Sequence, residues 1–211
     1  MGSRGIFITL EGGEGAGKTT QIKRIEEYLN KSNISYISTR EPGGINISEK
    51  IRELILNKEN INMDERTEAL LYAASRRQHL VEKIIPALNE GKVVICDRFI
   101  DSSLAYQGFA RGIGIEEVLL INNFAIDRYM PDLTIYLDIE PKEGLKRVKN
   151  RNEELNRLDL ESLEFHNKVR EGYLKLLKLY PNRIRRVSAN TCEDEVFSSI
   201  KELIENSIKT M

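Results

Sequence analysis

The sequence predicts an α/β fold, a five-stranded parallel sheet flanked by helices on both faces, and three observations carry that expectation. Five short β-rich runs end at turns or polar residues: Ile6–Leu10, Ile34–Thr39, Val93–Asp97, Leu133–Asp138 and Arg183–Ser188. Longer stretches of helical periodicity separate them. The first run also passes through a glycine-rich turn directly into a helix, which is the local order of a phosphate-binding loop.

Taken in chain order, the first strand leads into Gly12-Gly13-Glu14-Gly15-Ala16-Gly17-Lys18-Thr19, a full match to G-x-x-x-x-G-K-[ST], and a helix then runs towards Asn30. The glycines let successive N–H groups turn towards phosphate oxygens, and the helix N-terminus adds its positive end. Lys18 suits the β- and γ-phosphates, and the Thr19 hydroxyl suits Mg²⁺. A nucleoside triphosphate is therefore the expected ligand.

Thr39-Arg40-Glu41-Pro42-Gly43-Gly44 closes the second strand. Ligands of open parallel sheets bind outside the carboxyl ends of strands, so Arg40 should arrive near the loop. Asp64 is placed to cap a long helix with apolar residues at Leu70, Ala73, Leu80, Ile84 and Leu88. On it Tyr72, Ser75, Arg76 and His79 share one face, where an aromatic plane beside an arginine fork suits a nucleobase. Val93–Asp97 is an apolar strand ending in an acid. Asp97 fits either a helix cap or the acid beside a metal, and the adjacent Arg98 favours the second. Beyond it Ser103, Tyr106 and Gln107 fall at helical spacing on a second polar, aromatic face.

Between Lys142 and Arg157 lie six Lys or Arg and three Glu, which reads as an exposed segment. No repeat, low-complexity tract or linker interrupts the chain. At roughly 150 residues per domain, 211 residues imply one domain spanning 1–211, with the charged segment inserted in it. Hydrophobic residues are 40% and the net charge is −1, so no basic field points to nucleic acid or a membrane surface. No run approaches the ~18 apolar residues of a membrane span. Cys96 and Cys192 lack metal or redox spacing, and Cys96 sits in an apolar run. A cytoplasmic location is expected.

The class narrows by elimination. The Asn-Lys pairs lack the Asp of a GTPase base-reading motif, and Gly13 stands where partition-type ATPases carry a second lysine. A DNA translocase would need a basic track. A small-molecule kinase remains.

At this point the residues resemble the bacterial thymidylate kinases along nearly the whole chain. The likeness rests on Glu11-Gly12-Gly13-Glu14-Gly15-Ala16-Gly17-Lys18-Thr19-Thr20, on Thr39-Arg40-Glu41-Pro42-Gly43-Gly44 and on Asp97-Arg98-Phe99 with Ala105-Tyr106-Gln107-Gly108. Pro131-Asp132-Leu133-Thr134-Ile135-Tyr136-Leu137-Asp138 adds a fourth match. The resemblance implies a P-loop NTPase fold with a short lid at about 142–157, and transfer of the γ-phosphate of ATP, with Mg²⁺, to dTMP. It implies that Glu14 approaches the 3′-hydroxyl of dTMP and that Arg98, helped by Arg40, holds the acceptor phosphate. Tyr72 would lie against thymine where many relatives have Phe. Arg76 would donate to thymine O4, Ser103 and Gln107 would meet the base edge, and Tyr106 would crowd the sugar. Arg52 belongs to the same pocket. Because the loop carries no arginine, the resemblance assigns catalytic arginines to the lid, Arg147 and Arg151; Arg157 fits the lid or a surface ion pair. The family is homodimeric.

A phosphate monoester acceptor needs no general base, and His79 and His166 accordingly read as structural or exposed. The rival readings are a kinase for another pyrimidine deoxynucleotide or a nucleoside, and a non-catalytic nucleotide-binding switch.

Overall fold

The computed structural model describes residues 4–150 and 155–209. Five strands, β1 (Phe7–Glu11), β2 (Tyr36–Arg40), β3 (Val93–Asp97), β4 (Leu133–Asp138) and β5 (Ile184–Ser188), form one parallel sheet in the order β2-β3-β1-β4-β5. The five expected strands are all present, with ends displaced by a residue or two, as fraying ends allow. Phe7 pairs with Val94, and Ile8 with Leu133, so β1 is enclosed on both sides.

Strand alternation divides the apolar residues between two faces. Ile8, Leu10, Ile95 and Ile135 pack under α1 (Lys18–Lys31) and α9 (Glu193–Lys209). Phe7, Val94, Cys96 and Tyr136 face the other helices, so Cys96 is a buried hydrophobe. These helices are α2 (Asn46–Leu56), α3 (Glu65–His79), α4 (Ile85–Asn89), α5 (Ile100–Ser103), α6 (Ile115–Ile126), α7 (Pro141–Lys149) and α8 (Leu163–Leu179). Asp64 caps α3 as its position implies, accepting from the N–H groups of Arg66 and Thr67.

Two departures from the expected helices matter for the site. The long third helix is not uniform: a π turn, Leu80–Ile84, joins α3 to α4. Pro86 has no N–H to donate to residue 82, and the wider turn absorbs the missing bond. A second π stretch, Leu104–Ala110, follows α5. Its extra residue per turn breaks the helical spacing on which Ser103, Tyr106 and Gln107 were grouped.

The charged side chains Lys142, Glu143, Lys146, Arg147 and Lys149 are exposed, as their composition implies, but the opposite side of the segment is covered. Its first half is α7, pressed against the glycine-rich loop. A methyl on Gly15 would lie 2.1 Å from the Gly144 carbonyl oxygen, and one on Gly144 would lie 2.2 Å from the Glu14 carbonyl oxygen. Only glycine permits that approach. At the far end Arg157 is not a surface ion pair: it is buried, donating to the Ile55 carbonyl at 2.8 Å and to Glu68.

Alanine at Gly144 tests this contact. Alanine is the better helix former by about 1 kcal/mol, yet overpacking costs about 1–3 kcal/mol. Gly144→Ala should lower stability towards denaturant and speed amide exchange across Pro141–Lys149. A stability gain with unchanged exchange would show that α7 has room to spare.

Candidate active site

Three strand ends meet at one edge of the sheet. The Arg98 N–H donates to the Leu10 carbonyl at 2.9 Å, and the Glu41 N–H donates to the Asp97 carbonyl at 2.9 Å. The turns after β1, β2 and β3 are thereby stitched together. They enclose a cavity of about 250 Å³ whose wall includes Lys18, Arg98, Tyr106, Tyr72, Arg76 and Gln107. Glu14, Gly15, Ala16, Gly17 and Thr19 of the loop also reach it, as do Arg40, Arg52 and Asp97.

Lys18 curls back over its own loop, donating to the carbonyls of Gly12 and Gly13 at 3.1 Å each. Burial and the neighbouring Arg98 cation draw its ammonium below the ordinary lysine value. Gly12, Gly13 and Thr20 of the loop do not line this cavity.

Arg98 takes a left-handed backbone conformation, φ 67°. For a residue with a Cβ that costs roughly 1–2 kcal/mol. Two hydrogen bonds to β1 hold it: its own N–H to Leu10, and the Phe99 N–H to Glu11 Oε1 at 2.7 Å. The guanidinium then reaches Glu14 at 2.8 Å and Ser102 Oγ at 3.2 Å, and lies 5.1 Å from the centre of the Tyr106 ring. The Tyr106 hydroxyl donates to Glu14 at 2.9 Å. Burial opposes ionisation of Glu14, but Arg98 and Lys18 prevail and hold its carboxyl at about 2.

Glu11 behaves oppositely. It is fully buried and accepts from the Phe99 N–H, from Ser102 at 2.5 Å and from Tyr173 at 2.9 Å. Burial, followed by the Asp101 charge, pushes it up to about 7.

Arg76 is almost entirely spoken for. It donates to Glu41 at 2.8 Å, to Asn122, to the Phe99 carbonyl at 3.0 Å and to Ser103 at 3.1 Å. Four of its five N–H groups have protein partners, leaving one. Ser103 thus supports Arg76 from behind the wall. Ser75 departs from the expected face altogether: its carbonyl accepts from Ser48 at 2.8 Å where α2 packs on α3, and its hydroxyl has no partner. Residues three apart on a helix point about 60° from perfect alignment, enough to send Ser75 to α2 while Tyr72 and Arg76 face the cavity. His79 is structural, bridging Thr39 at 2.7 Å and Glu41 at 3.0 Å. His166 is buried, not exposed.

Arg147 lies on the far side of the loop, donating to the carbonyls of Ala189 at 3.2 Å and Gly15 at 3.5 Å. Arg151 lies outside the described residues. The sequence reading gave no role to Glu11, and it missed Leu158, which lines the cavity, and Glu68, which accepts from Gln107 at 2.7 Å. Glu68 was within reach, since it stands four and eight residues before Tyr72 and Arg76 on the same helical face.

For a metal, the described residues contain no cluster of three or more His, Cys, Asp or Glu. Asp97 instead presents a buried Oδ1 without a hydrogen-bond partner, beside the exposed Thr19. One carboxylate and one hydroxyl suit Mg²⁺, which keeps most of its waters and shares phosphate oxygens.

Comparison with known proteins returns a consistent set. A family model described as thymidylate kinase matches residues 10–200. The thymidylate kinase of Clostridium novyi (strain NT) is 71% identical over 200 residues, covering 94% of this chain and 98% of the relative. That of Anoxybacillus flavithermus is 58% identical over 97% of this chain and 98% of its own length. The crystal structure of thymidylate kinase from Ehrlichia chaffeensis superposes with a TM-score of 0.77 at 33% identity, covering 96% of this chain and 99% of that one.

The two carboxylates should leave opposite marks on stability. Between pH 4.5 and 7 the folded chain retains on Glu11 a proton that the unfolded chain has released, so stability falls as pH rises through that window. Between pH 4.5 and 2 the unfolded chain protonates Glu14 first, so stability falls as pH drops. Each slope is at most ~1.4 kcal/mol per pH unit. In urea titrations across pH, Glu11→Gln should flatten the first window only and Glu14→Gln the second only. Slopes that persist in both variants would assign them to other groups.

Proposed function

The chain belongs to the thymidylate kinase family, and on that premise we propose that it transfers the γ-phosphate of ATP to dTMP, giving dTDP and ADP. What carries the reading is one cavity holding both a phosphate loop and, at its other end, Tyr72, Arg76 and Gln107, with Arg98 in the wall.

The acceptor is a phosphate monoester with a second pKa of about 6, a dianion at neutral pH and already nucleophilic. The obstacle is the approach of a dianion to a polyphosphate, so catalysis consists of positioning and charge neutralisation. The N–H groups from Gly13 to Thr20 and Lys18 hold the triphosphate. Lys18 exchanges its contacts with Gly12 and Gly13 for β- and γ-oxygens. Thr19 and Asp97 would hold Mg²⁺, which would supply neutralising charge to the triphosphate. Arg98 receives the acceptor phosphate with Arg40, while Arg52, bonded to the Pro42 carbonyl at 3.1 Å, closes that end. Glu14, kept ionised by Arg98, accepts from the sugar 3′-hydroxyl, and Tyr106 packs where a 2′-hydroxyl would stand. Tyr72 stacks on thymine, the remaining N–H of Arg76 serves O4, and Gln107 meets the base edge.

The lid arginines Arg147 and Arg151 complete the charge around the transferring group. Arg147 must leave Gly15 and Ala189 to do so. We also propose a single domain that works as a homodimer in the cytoplasm. Exposed Leu120 and Phe124 on α6, and Leu70 on the adjacent α3, offer an apolar face of the kind subunits cover. No helix among the described residues is long and apolar enough to cross a membrane.

An ADP-release assay with ATP and a panel of nucleosides and nucleoside monophosphates tests the reading. dTMP should lead, with dUMP about 10–200-fold behind because a methyl in an apolar niche contributes only about 1–3 kcal/mol. Turnover of nucleosides would indicate a nucleoside kinase, and no turnover with any acceptor a binding switch. Lys18→Ala should lower kcat by at least ~10²-fold. Arg147→Ala and Arg151→Ala separate the lid residues: loss of a charge that meets the transferring phosphoryl group costs about 10³–10⁵ in kcat with little change in dTMP binding. Mild effects from both would place that charge elsewhere. Phe124→Glu should shift sedimentation from dimer to monomer.

A further inference from the structure

Glu68 takes no part in the chemistry described so far, yet it is the most heavily engaged carboxylate near the base end of the cavity. It sits on α3, 1% exposed. Gln107 Nε2 donates to Oε1 at 2.7 Å. Arg157, at the end of the lid segment, donates to Oε2, and Arg111 approaches the same oxygen at 3.4 Å. Arg111 has a second partner in Glu161 at 2.6 Å.

The consequence for Gln107 is one of direction. A primary amide has a donor end and an acceptor end that are nearly the same shape, and only its partners choose between its two orientations. A carboxylate lying between two guanidinium groups accepts hydrogen bonds and donates none. The NH₂ of Gln107 is therefore committed to Glu68, and its carbonyl end is left for the cavity it lines. With Arg76 retaining one uncommitted N–H, the middle of the base edge falls to Gln107.

We propose that Glu68 is the residue that sets nucleobase selectivity, by locking the Gln107 amide with its carbonyl oxygen towards the base; the inference rests on the reading of this cavity as the dTMP site. Thymine and uracil present an N3–H donor, which that oxygen accepts. Cytosine presents a bare N3 acceptor, which meets the oxygen lone pair to lone pair. Glutamine at position 68 can donate as well as accept, so it releases the Gln107 amide to turn over and meet cytosine. Glu68 is thus a positioning residue acting through Gln107.

The test compares kcat/KM for dTMP, dUMP and dCMP in the wild type, R157M, E68Q and E68Q/R157M. The wild type should favour dTMP over dCMP by about 10⁴–10⁵, the scale of sites built around such a hydrogen bond. R157M should keep that ratio within about threefold, because Glu68 still holds Gln107. E68Q should lower it at least about tenfold while leaving the dTMP-to-dUMP ratio unchanged, since both bases carry N3–H. Should the unpaired Arg157 prevent E68Q from folding, the double variant against R157M isolates the same carboxylate. Equal losses for dTMP and dCMP would reduce Glu68 to a structural role and overturn the proposal. So would a ratio that collapses in R157M. A wild type that phosphorylates none of the three pyrimidine nucleotides overturns the reading of the site itself.

Discussion

The Glu11 carboxylate at the end of the central strand is the contact on which the site's geometry depends. It receives the Phe99 N–H and the Ser102 hydroxyl, and these flank Arg98 on both its backbone and its side chain. The left-handed turn at Arg98 is unfavourable alone and stands because β1 supplies a hydrogen bond on each side of it. The turn in turn aims the guanidinium at Glu14, so a backbone constraint becomes a charge placed in a cavity. That β1 lies between β3 and β4, held from both edges, makes it a rigid base for this arrangement.

Around that point the protein keeps cations and carboxylates in close, buried pairs. Arg98 with Glu14, Arg76 with Glu41 and Arg157 with Glu68 all lie largely out of water. Such pairs seldom stabilise a fold more than apolar packing would, because both ions are desolvated. Their value here is orientation. A family whose acceptor is itself a dianion needs preformed positive charge whose direction is fixed before the phosphates arrive. Pairing Arg98 and Arg76 with acids holds each fork in place and leaves the remaining donors to face the substrate.

The two π stretches serve the same end by geometry. After α5 the wider helix sends Ser103 to Arg76, Tyr106 to Glu14 and Gln107 to Glu68, three directions from five residues. A regular α-helix would have stacked them on one side. The base end and the phosphate end of the cavity are therefore served by one short segment.

The sequence by itself determined the architecture and the chemistry at the loop. Alternating strands and helices, and an eight-residue motif whose glycines and lysine have few other uses, are local signals that survive in any tertiary context. Asp64 as a cap and Cys96 as a core residue were legible for the same reason. What only the tertiary structure decided were the partnerships between residues far apart in the chain. Ser75 and Tyr72 share a periodic pattern, yet one meets α2 and the other the cavity, because helix packing selects within a face. Arg157 fits either the lid or a surface ion pair in the sequence, and is buried because Glu68, 89 positions earlier, faces it. Glu68 carries no motif, and Glu11 opens one without any sign of what its side chain holds. Their roles arise from which donors the fold brings within about 3 Å, the range over which a hydrogen bond acts, and that is a property of the packed chain, not of its neighbours in sequence.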